Sequence, residues 1–336
     1  MKQIRRVKGL DDDIRKSLEL NGFNYCPDVI DRTDYQLMER LNLNKAEAKD
    51  LTLTISRSIV QSIRKMSALK LRDNIQQNTY THLCSGLPDL DQQLRGGIPC
   101  GTVTEIVGPR SCGKSTMAFN LALRVFDRET DSEDGIVFID TQRSFDAARV
   151  VEMSKSISNN FTEDHLQRIS IFNIQSVQDL IGLLNDMEEV IVSKNIKLII
   201  VDSINALRDD SEREDKETNP SNNAAGSHLL GQQAATLKKL AEDFSIPVIV
   251  TNTMTKRMDS GYSNNKQVGT EYQVPALGLL WSHSVNTRLI LQDSTFGHSE
   301  QRKIKIDKSP ICGVCYIPFE ITPLGLFQIS NEEMVG

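Results

Sequence analysis

The segment Gly108-Pro109-Arg110-Ser111-Cys112-Gly113-Lys114-Ser115-Thr116 carries the spacing G-x-x-x-x-G-K-[ST]. Its surroundings restrict the fold more than any other stretch of the chain. Apolar Val103 to Val107 runs into it as a strand, and Ser115 to Val125, with Met117, Phe119, Leu121 and Leu123, leaves it as a helix. In that setting the glycines let successive backbone N–H groups curl around phosphate, Lys114 reaches the terminal phosphates, and the Ser115 hydroxyl ligates Mg²⁺. The expectation is a nucleotide bound along Gly108 to Thr116. A Gly-rich surface turn followed by an unrelated helix is the competing reading.

Beyond the loop, apolar strand patterns alternate with amphipathic helices. Strands are expected at Val103–Val107, Gly135–Asp140, Lys197–Asp202, Pro247–Asn252 and Thr287–Gln292, followed by Arg302–Asp307 and Val314–Ile321. Ser176 with Asp179 three residues on signals a helix start, and Leu180, Leu184, Met187 and Ile191 share its apolar face. Gly231 to Phe244 repeats that pattern. Near-continuous apolar strands bounded by helices imply a mostly parallel sheet covered on both faces. The last strands are candidates for antiparallel additions.

Residues 1–65 read as a small helical domain, with Ile14, Leu18 and Leu20, Leu37, Met38 and Leu41, and Leu51, Ile55, Ile59 and Ile63 at helical spacing and breaks at Pro27 and Asn42. Leu41 to Lys49 looks like a helix-hairpin-helix turn in which Asn42 takes the left-handed conformation that usually calls for Gly. Such a module binds DNA backbone or docks protein, and the sequence leaves both open. Polar, aperiodic residues place a linker at 66–82, leaving 83–336 as the core.

The 336 residues are 39% hydrophobic with a formal net charge of −6, so there is no global attraction to nucleic acid and any DNA contact depends on local basic patches. No apolar run approaches a membrane span, and basic Met1 to Lys8 lacks the apolar stretch of a secretory signal, which points to an intracellular chain with free thiols. Cys312 and Cys315 form a single C-x-x-C. Zinc would want two further ligands, so a reduced, partly buried thiol pair is the favoured reading.

Lys197 to Asp202 is an apolar strand that ends in a carboxylate, which suits Asp202 to hold Mg²⁺ beside Ser115. Taken with Leu83 to Asp91, Gly96 to Gly101, Thr251-Asn252-Thr253 and Trp281 to Leu289, these segments resemble the RecA-like DNA recombinases of eukaryotes across nearly the whole chain. Within that family, Ala276-Leu277-Gly278 followed by Trp281-Ser282-His283-Ser284 is most similar to the B-type paralogue. The resemblance implies an α/β fold, a RecA-like P-loop ATPase core behind an all-helical domain. It also implies ATP and Mg²⁺ as cofactors. The expected role is that of a nuclear accessory protein of homologous recombination and double-strand break repair. It would act with related paralogues in a hetero-oligomer, on single-stranded or branched DNA, to assist loading of the main recombinase.

Departures from the family pattern bear on activity. Lys114 and Gln142 are the candidate catalytic residues, but active members carry Glu where Gln142 stands. An amide positions water without taking its proton, and general-base catalysis is worth about 10²–10⁴-fold, so hydrolysis should be slow. Thr253 replaces a family Gln that senses the terminal phosphate. His283 matches a family histidine near the subunit interface or is simply hydrogen-bonded at a strand entrance. Lys308 falls where the family caps a neighbour's nucleotide, or lies on an exposed loop.

Of the two family DNA loops, Arg208 to Glu217 has three basic and six acidic residues, a balance that repels phosphate. Met254 to Val274, with Lys256, Arg257, Lys266, Tyr262 and Tyr272, is the better candidate; solvated loops are the rival reading. The linker Met66 to His82 holds no Phe, although self-polymerising members use a Phe there to dock on a neighbour, so long homopolymers are not expected. Two alternatives remain: a fully active DNA-dependent ATPase and strand-exchange recombinase, or a scaffold indifferent to nucleotide.

Overall fold

The structure, a computed structural model, describes residues 4–7, 9–30, 32, 34–59, 81–127, 133–157, 161–207, 220–259, 262–263, 266–267, 270–293 and 302–329. The chain divides into two compact units, Met1–Asn78 and Thr79–Gly336.

The first unit is helical, with helices Asp12–Leu20, Cys26–Ile30, Asp34–Leu41 and Lys45–Ile59. Leu18, Phe23, Leu37, Leu51 and Ile55 are buried together. Asn42 has φ +53°, the left-handed turn expected of it. Asn44 then caps the next helix: its Oδ1 accepts from Glu47 N (2.9 Å) while Glu47 Oε2 accepts from Asn44 N (2.8 Å). Two expectations fail. Leu20 is 87% exposed at the end of its helix, and Pro27 lies inside helix Cys26–Ile30, where a first-turn residue has no intrahelical N–H bond to lose. Ile63 and residues 66–80 of the expected linker lie outside the described residues.

The second unit begins with the short pair β1 (His82–Leu83) and β2 (Ile98–Pro99), flanking helix Pro88–Gln93. The main strands are β3 (Val103–Gly108), β4 (Gly135–Asp140), β5 (Ile169–Asn173), β6 (Ile196–Asp202) and β7 (Val248–Asp259), then β8 (Tyr262–Ser263), β9 (Lys266–Gln267) and β10 (Thr270–Pro275). β11 (Thr287–Gln292), β12 (Arg302–Lys308), β13 (Cys315–Thr322) and β14 (Gly325–Gln328) complete the chain order. Ten of these form one sheet, ordered β14-β13-β12-β11-β3-β7-β6-β4-β5, with β10 paired to β7. β11, β3, β7, β6, β4 and β5 run parallel, and β12 to β14 are antiparallel additions at one edge.

Alternating side chains of the parallel strands feed two cores. Ile136 and Phe138 of β4 and Leu198 and Ile200 of β6 pack with helix Lys114–Phe126. Val137, Ile139, Ile199 and Val201 pack with helices Val177–Ser193 and Pro220–Phe244. Each such fully buried side chain contributes about 1.5–3 kcal/mol, which is why these strands read as unbroken apolar runs. The Ser176 cap forms as expected, its Oγ accepting from Asp179 N at 3.0 Å.

β7 continues seven residues beyond the expected Asn252. Its inner half pairs with β3 as far as Gly108↔Thr253, and its outer half pairs with β10 from Met254↔Pro275 to Asp259↔Thr270. The expected loop at Met254 to Val274 is therefore corrected to an antiparallel hairpin, with Tyr262–Ser263 and Lys266–Gln267 pairing further along it. β5 lacks the continuous apolar run of its neighbours, because its alternate residues are exposed, and so carries no strand signal in the sequence. The candidate loop Arg208 to Glu217 lies outside the described residues.

Candidate nucleotide-binding site

The parallel strands deliver the ends of β3, β4, β6 and β7 to one cleft of about 1020 Å³. A crevice at the carboxyl ends of such strands is where open α/β sheets bind ligands.

One wall is the phosphate loop. β3 ends at Gly108, where an added Cβ would sit 2.5 Å from Cys112 Sγ and 2.7 Å from the Leu291 carbonyl oxygen. Gly113 has φ +103° and precedes helix Lys114–Phe126; a Cβ there would lie 2.5 Å from Ile321 Cδ1. The backbone oxygen against Gly108 and the left-handed φ of Gly113 both call for glycine, and the chain thereby presents the unpaired N–H groups and positive end of a 13-residue helix to the cleft. Lys114 Nζ donates to the carbonyls of Gly108 (3.0 Å) and Pro109 (2.5 Å). Arg110, Ser111, Gly113, Lys114, Ser115 and Thr116 all line the cleft. Cys112 is turned inward, 1% exposed; burial pushes its thiol pKa up, against the pull of the neighbouring Lys114 charge.

The other wall comes from strand ends. Asp202, at the end of β6, is buried; Thr251 Oγ1 donates to its Oδ1, while Oδ2 has no donor among the described residues. Gln142 lies just past β4, its Nε2 donating to Ser203 Oγ at 2.9 Å. Asn205 Nδ2 donates to Thr253 Oγ1 at 2.7 Å. The structure therefore brings Lys114, Ser115, Gln142 and Asp202 to a single cleft. A buried carboxylate oxygen lacking a donor, opposite a glycine cradle and a lysine, is a donor set that fits Mg²⁺ with a nucleotide's phosphates.

Several contributors were missed in the sequence. Arg302 lines the cleft from the start of β12, its Nε 3.2 Å from Asp293 Oδ1. No local signal marks it, since it lies almost two hundred residues beyond the loop. Glu105, fully buried in β3, accepts from Asn252 Nδ2 (2.7 Å), Trp281 Nε1 (2.8 Å) and Arg288 Nε (2.6 Å). A carboxylate inside an apolar strand was its visible signal.

Lys308 Nζ donates to the carbonyls of Ser282 (2.8 Å) and Val285 (2.6 Å), so within its own chain it closes the end of helix Gly278–Ser284. Burial, then the charges of Arg288 and Lys238, lowers its pKa. His283 is exposed on that helix, and Cys312 and Cys315 are half-buried free thiols. Among the described residues no helix is long and apolar enough to cross a membrane.

Sheet order, phosphate loop and the carboxylate closing β6 define a RecA-like P-loop protein, an ATP-binding fold. The Rad51 family model matches residues 76–329, and this chain belongs to that family. DNA repair protein RAD51 homolog 2 of Mus musculus is 32% identical over 356 residues, covering 98% of this chain and 99% of the relative. Its Homo sapiens counterpart is 29% identical, covering 97% and 88%. The RadB recombinase crystal structure shares the fold, with a TM-score of 0.56 at 22% identity, covering 74% of this chain and all of that one.

Proposed function

We propose that this protein is an ATP-binding accessory factor of homologous recombination and double-strand break repair. It works in the nucleus within a hetero-oligomer of related paralogues and assists recombinase loading on single-stranded or branched DNA. The kinship with RAD51 homolog 2 supports the process. The observation that carries the biochemistry is the pairing of Gln142 with Ser203 in the cleft: an amide stands where a proton acceptor is needed, so the nucleotide serves as a ligand held at the site more than as fuel.

In this reading Gly108 to Thr116 hold the phosphates, and Ser115 with Asp202 hold Mg²⁺, which when bound offsets phosphate charge. Lys114 exchanges its bonds to the Gly108 and Pro109 carbonyls for phosphate oxygens, a trade favoured because phosphate meets the ammonium with an opposite full charge where a carbonyl offers only a dipole. Gln142 orients a water without removing its proton. Within the described hairpin, Lys256 and Tyr272 are exposed and are suited to contact a DNA strand through charge and stacking.

Titration of the full chain with a fluorescent ATP analogue and Mg²⁺ tests this reading. Saturable binding that weakens strongly in Lys114→Ala is expected, with slow phosphate release in wild type. Equal affinity in the two proteins would move the site elsewhere, and turnover matching an active strand-exchange recombinase would favour the enzyme alternative.

A further inference from the structure

We propose, resting on the reading of the cleft as a Mg-nucleotide site, that Arg302 and Ile321 form the shelf for a purine base, with the Arg302 guanidinium stacked on the ring. Strand order gives the nucleotide its direction. β7, β6 and β4 lie on one side of β3, and β11, β12 and β13 lie on the other. Asp202 and Gln142 belong to the first side, so a metal held by Asp202 and Ser115 keeps the terminal phosphates there. The chain of phosphates then crosses the loop at the end of β3, and sugar and base extend toward β12 and β13. Among the described residues, Arg302 and Ile321 are the two that line the cleft from that side.

Pairing sets these two together. Arg302 stands opposite Phe319, so Ile321, two residues further along β13, is its diagonal neighbour on the same face. Ile304, Ile306 and Phe319 of that face pack into the core beside helix Lys114–Phe126, and Arg302 and Ile321 continue it outward, half-buried. Ile321 also abuts the loop, its Cδ1 2.5 Å from where a Cβ on Gly113 would sit. Diagonal neighbours are about 7–8 Å apart, a span that a flat two-ring base can bridge.

The chemistry of the shelf selects a base over a phosphate. Arg302 Nε donates to Asp293 Oδ1 at 3.2 Å, from a carboxylate just past the end of β11. That carboxylate offsets the guanidinium charge, which weakens any pull on phosphate. All guanidinium donors lie in its plane, so the bond to Asp293 uses an edge, orients the plane and leaves a face to stack on an aromatic ring. Ile321 adds apolar contact beside it. A purine presents more ring to this shelf than a pyrimidine does.

The test is calorimetric titration of the full-length protein with the Mg²⁺ complexes of ATP, CTP and tripolyphosphate, the last of which lacks sugar and base. ATP should bind several-fold more tightly than CTP. Arg302→Ala should weaken ATP about five- to thirtyfold, the range for a cation on a ring at a desolvated site, and tripolyphosphate less than about twofold. Arg302→Lys should stay well short of wild type, because it keeps the charge and loses the flat face. Ile321→Thr should weaken ATP about two- to fivefold with tripolyphosphate unchanged, and it carries the test if Arg302→Ala lowers the melting temperature. Equal losses for ATP and tripolyphosphate in Arg302→Ala, full rescue by Arg302→Lys, or unchanged ATP affinity in both Arg302→Ala and Ile321→Thr overturns the proposal. Lys114→Ala should weaken all three ligands. If it weakens none, the reading of the cleft fails first and the shelf falls with it.

Discussion

The loop wall of the cleft is one contiguous stretch, Gly108 to Thr116, whereas the wall across from it is assembled from Gln142, Asp202 to Asn205 and Thr253 at the ends of β4, β6 and β7. The loop wall depends on backbone: one glycine against a backbone oxygen, a second in the left-handed region, a helix N-terminus, and one lysine resting on its own loop's carbonyls. The strand-end wall depends on side chains bonded to one another, Gln142 to Ser203 and Asn205 to Thr253. Backbone cradles bind phosphate with little regard to what else the chain does. Side-chain networks set what happens after binding.

The largest expected effect tests what holds the strand-end wall in place. Glu105→Ala removes the acceptor of Asn252, Trp281 and Arg288 and leaves a buried guanidinium without its carboxylate. Removing one partner of a buried ion pair costs about 3–5 kcal/mol, so urea denaturation should show a loss of that order. A loss below about 1 kcal/mol would mean that Glu105 does not anchor the wall.

Next is the loop wall. Lys114→Ala should weaken Mg-nucleotide binding about 10- to 100-fold, the range for a hydrogen bond to a charged group, while leaving the melting temperature close to wild type because Lys114 is only half-buried. A matching collapse in stability would erase the contrast between the walls.

Gln142→Glu addresses chemistry on the strand-end wall. A complete general base is worth about 10²–10⁴-fold, and from a carboxylate supplied without the rest of a tuned site we expect only part of it, about a tenfold rise in phosphate release. A fall in rate would assign Gln142 to positioning through Ser203 alone.

The smallest effect concerns Cys112. Its raised pKa leaves less thiolate at any given pH, and the thiol is buried, so iodoacetamide at pH 8 should modify it several-fold more slowly than an unperturbed exposed thiol. Fast labelling would show that the loop opens on its own, making it less preformed than its glycines suggest.

Legibility followed the same division. The loop, the strands carrying it and the helix leaving it were readable because the motif is contiguous and strand and helix periodicities are local. Asp202 was readable as the polar end of an apolar strand. Asn205 and Arg302 were not: each is an ordinary polar residue whose role depends on Thr253 or Asp293. The polar composition of Met254 to Val274 hides a hairpin whose pairing continues a core strand.

By itself the sequence determined the α/β class, the family, the phosphate cradle and the helical first unit, since each is written in runs of neighbouring residues. Only the tertiary structure decided which polar groups meet. The Asn205–Thr253 bond spans 48 residues and the Glu105–Arg288 pair spans 183. Such contacts depend on strand order and register, which bring distant β3, β7 and β11 side by side and which no local pattern of residues encodes.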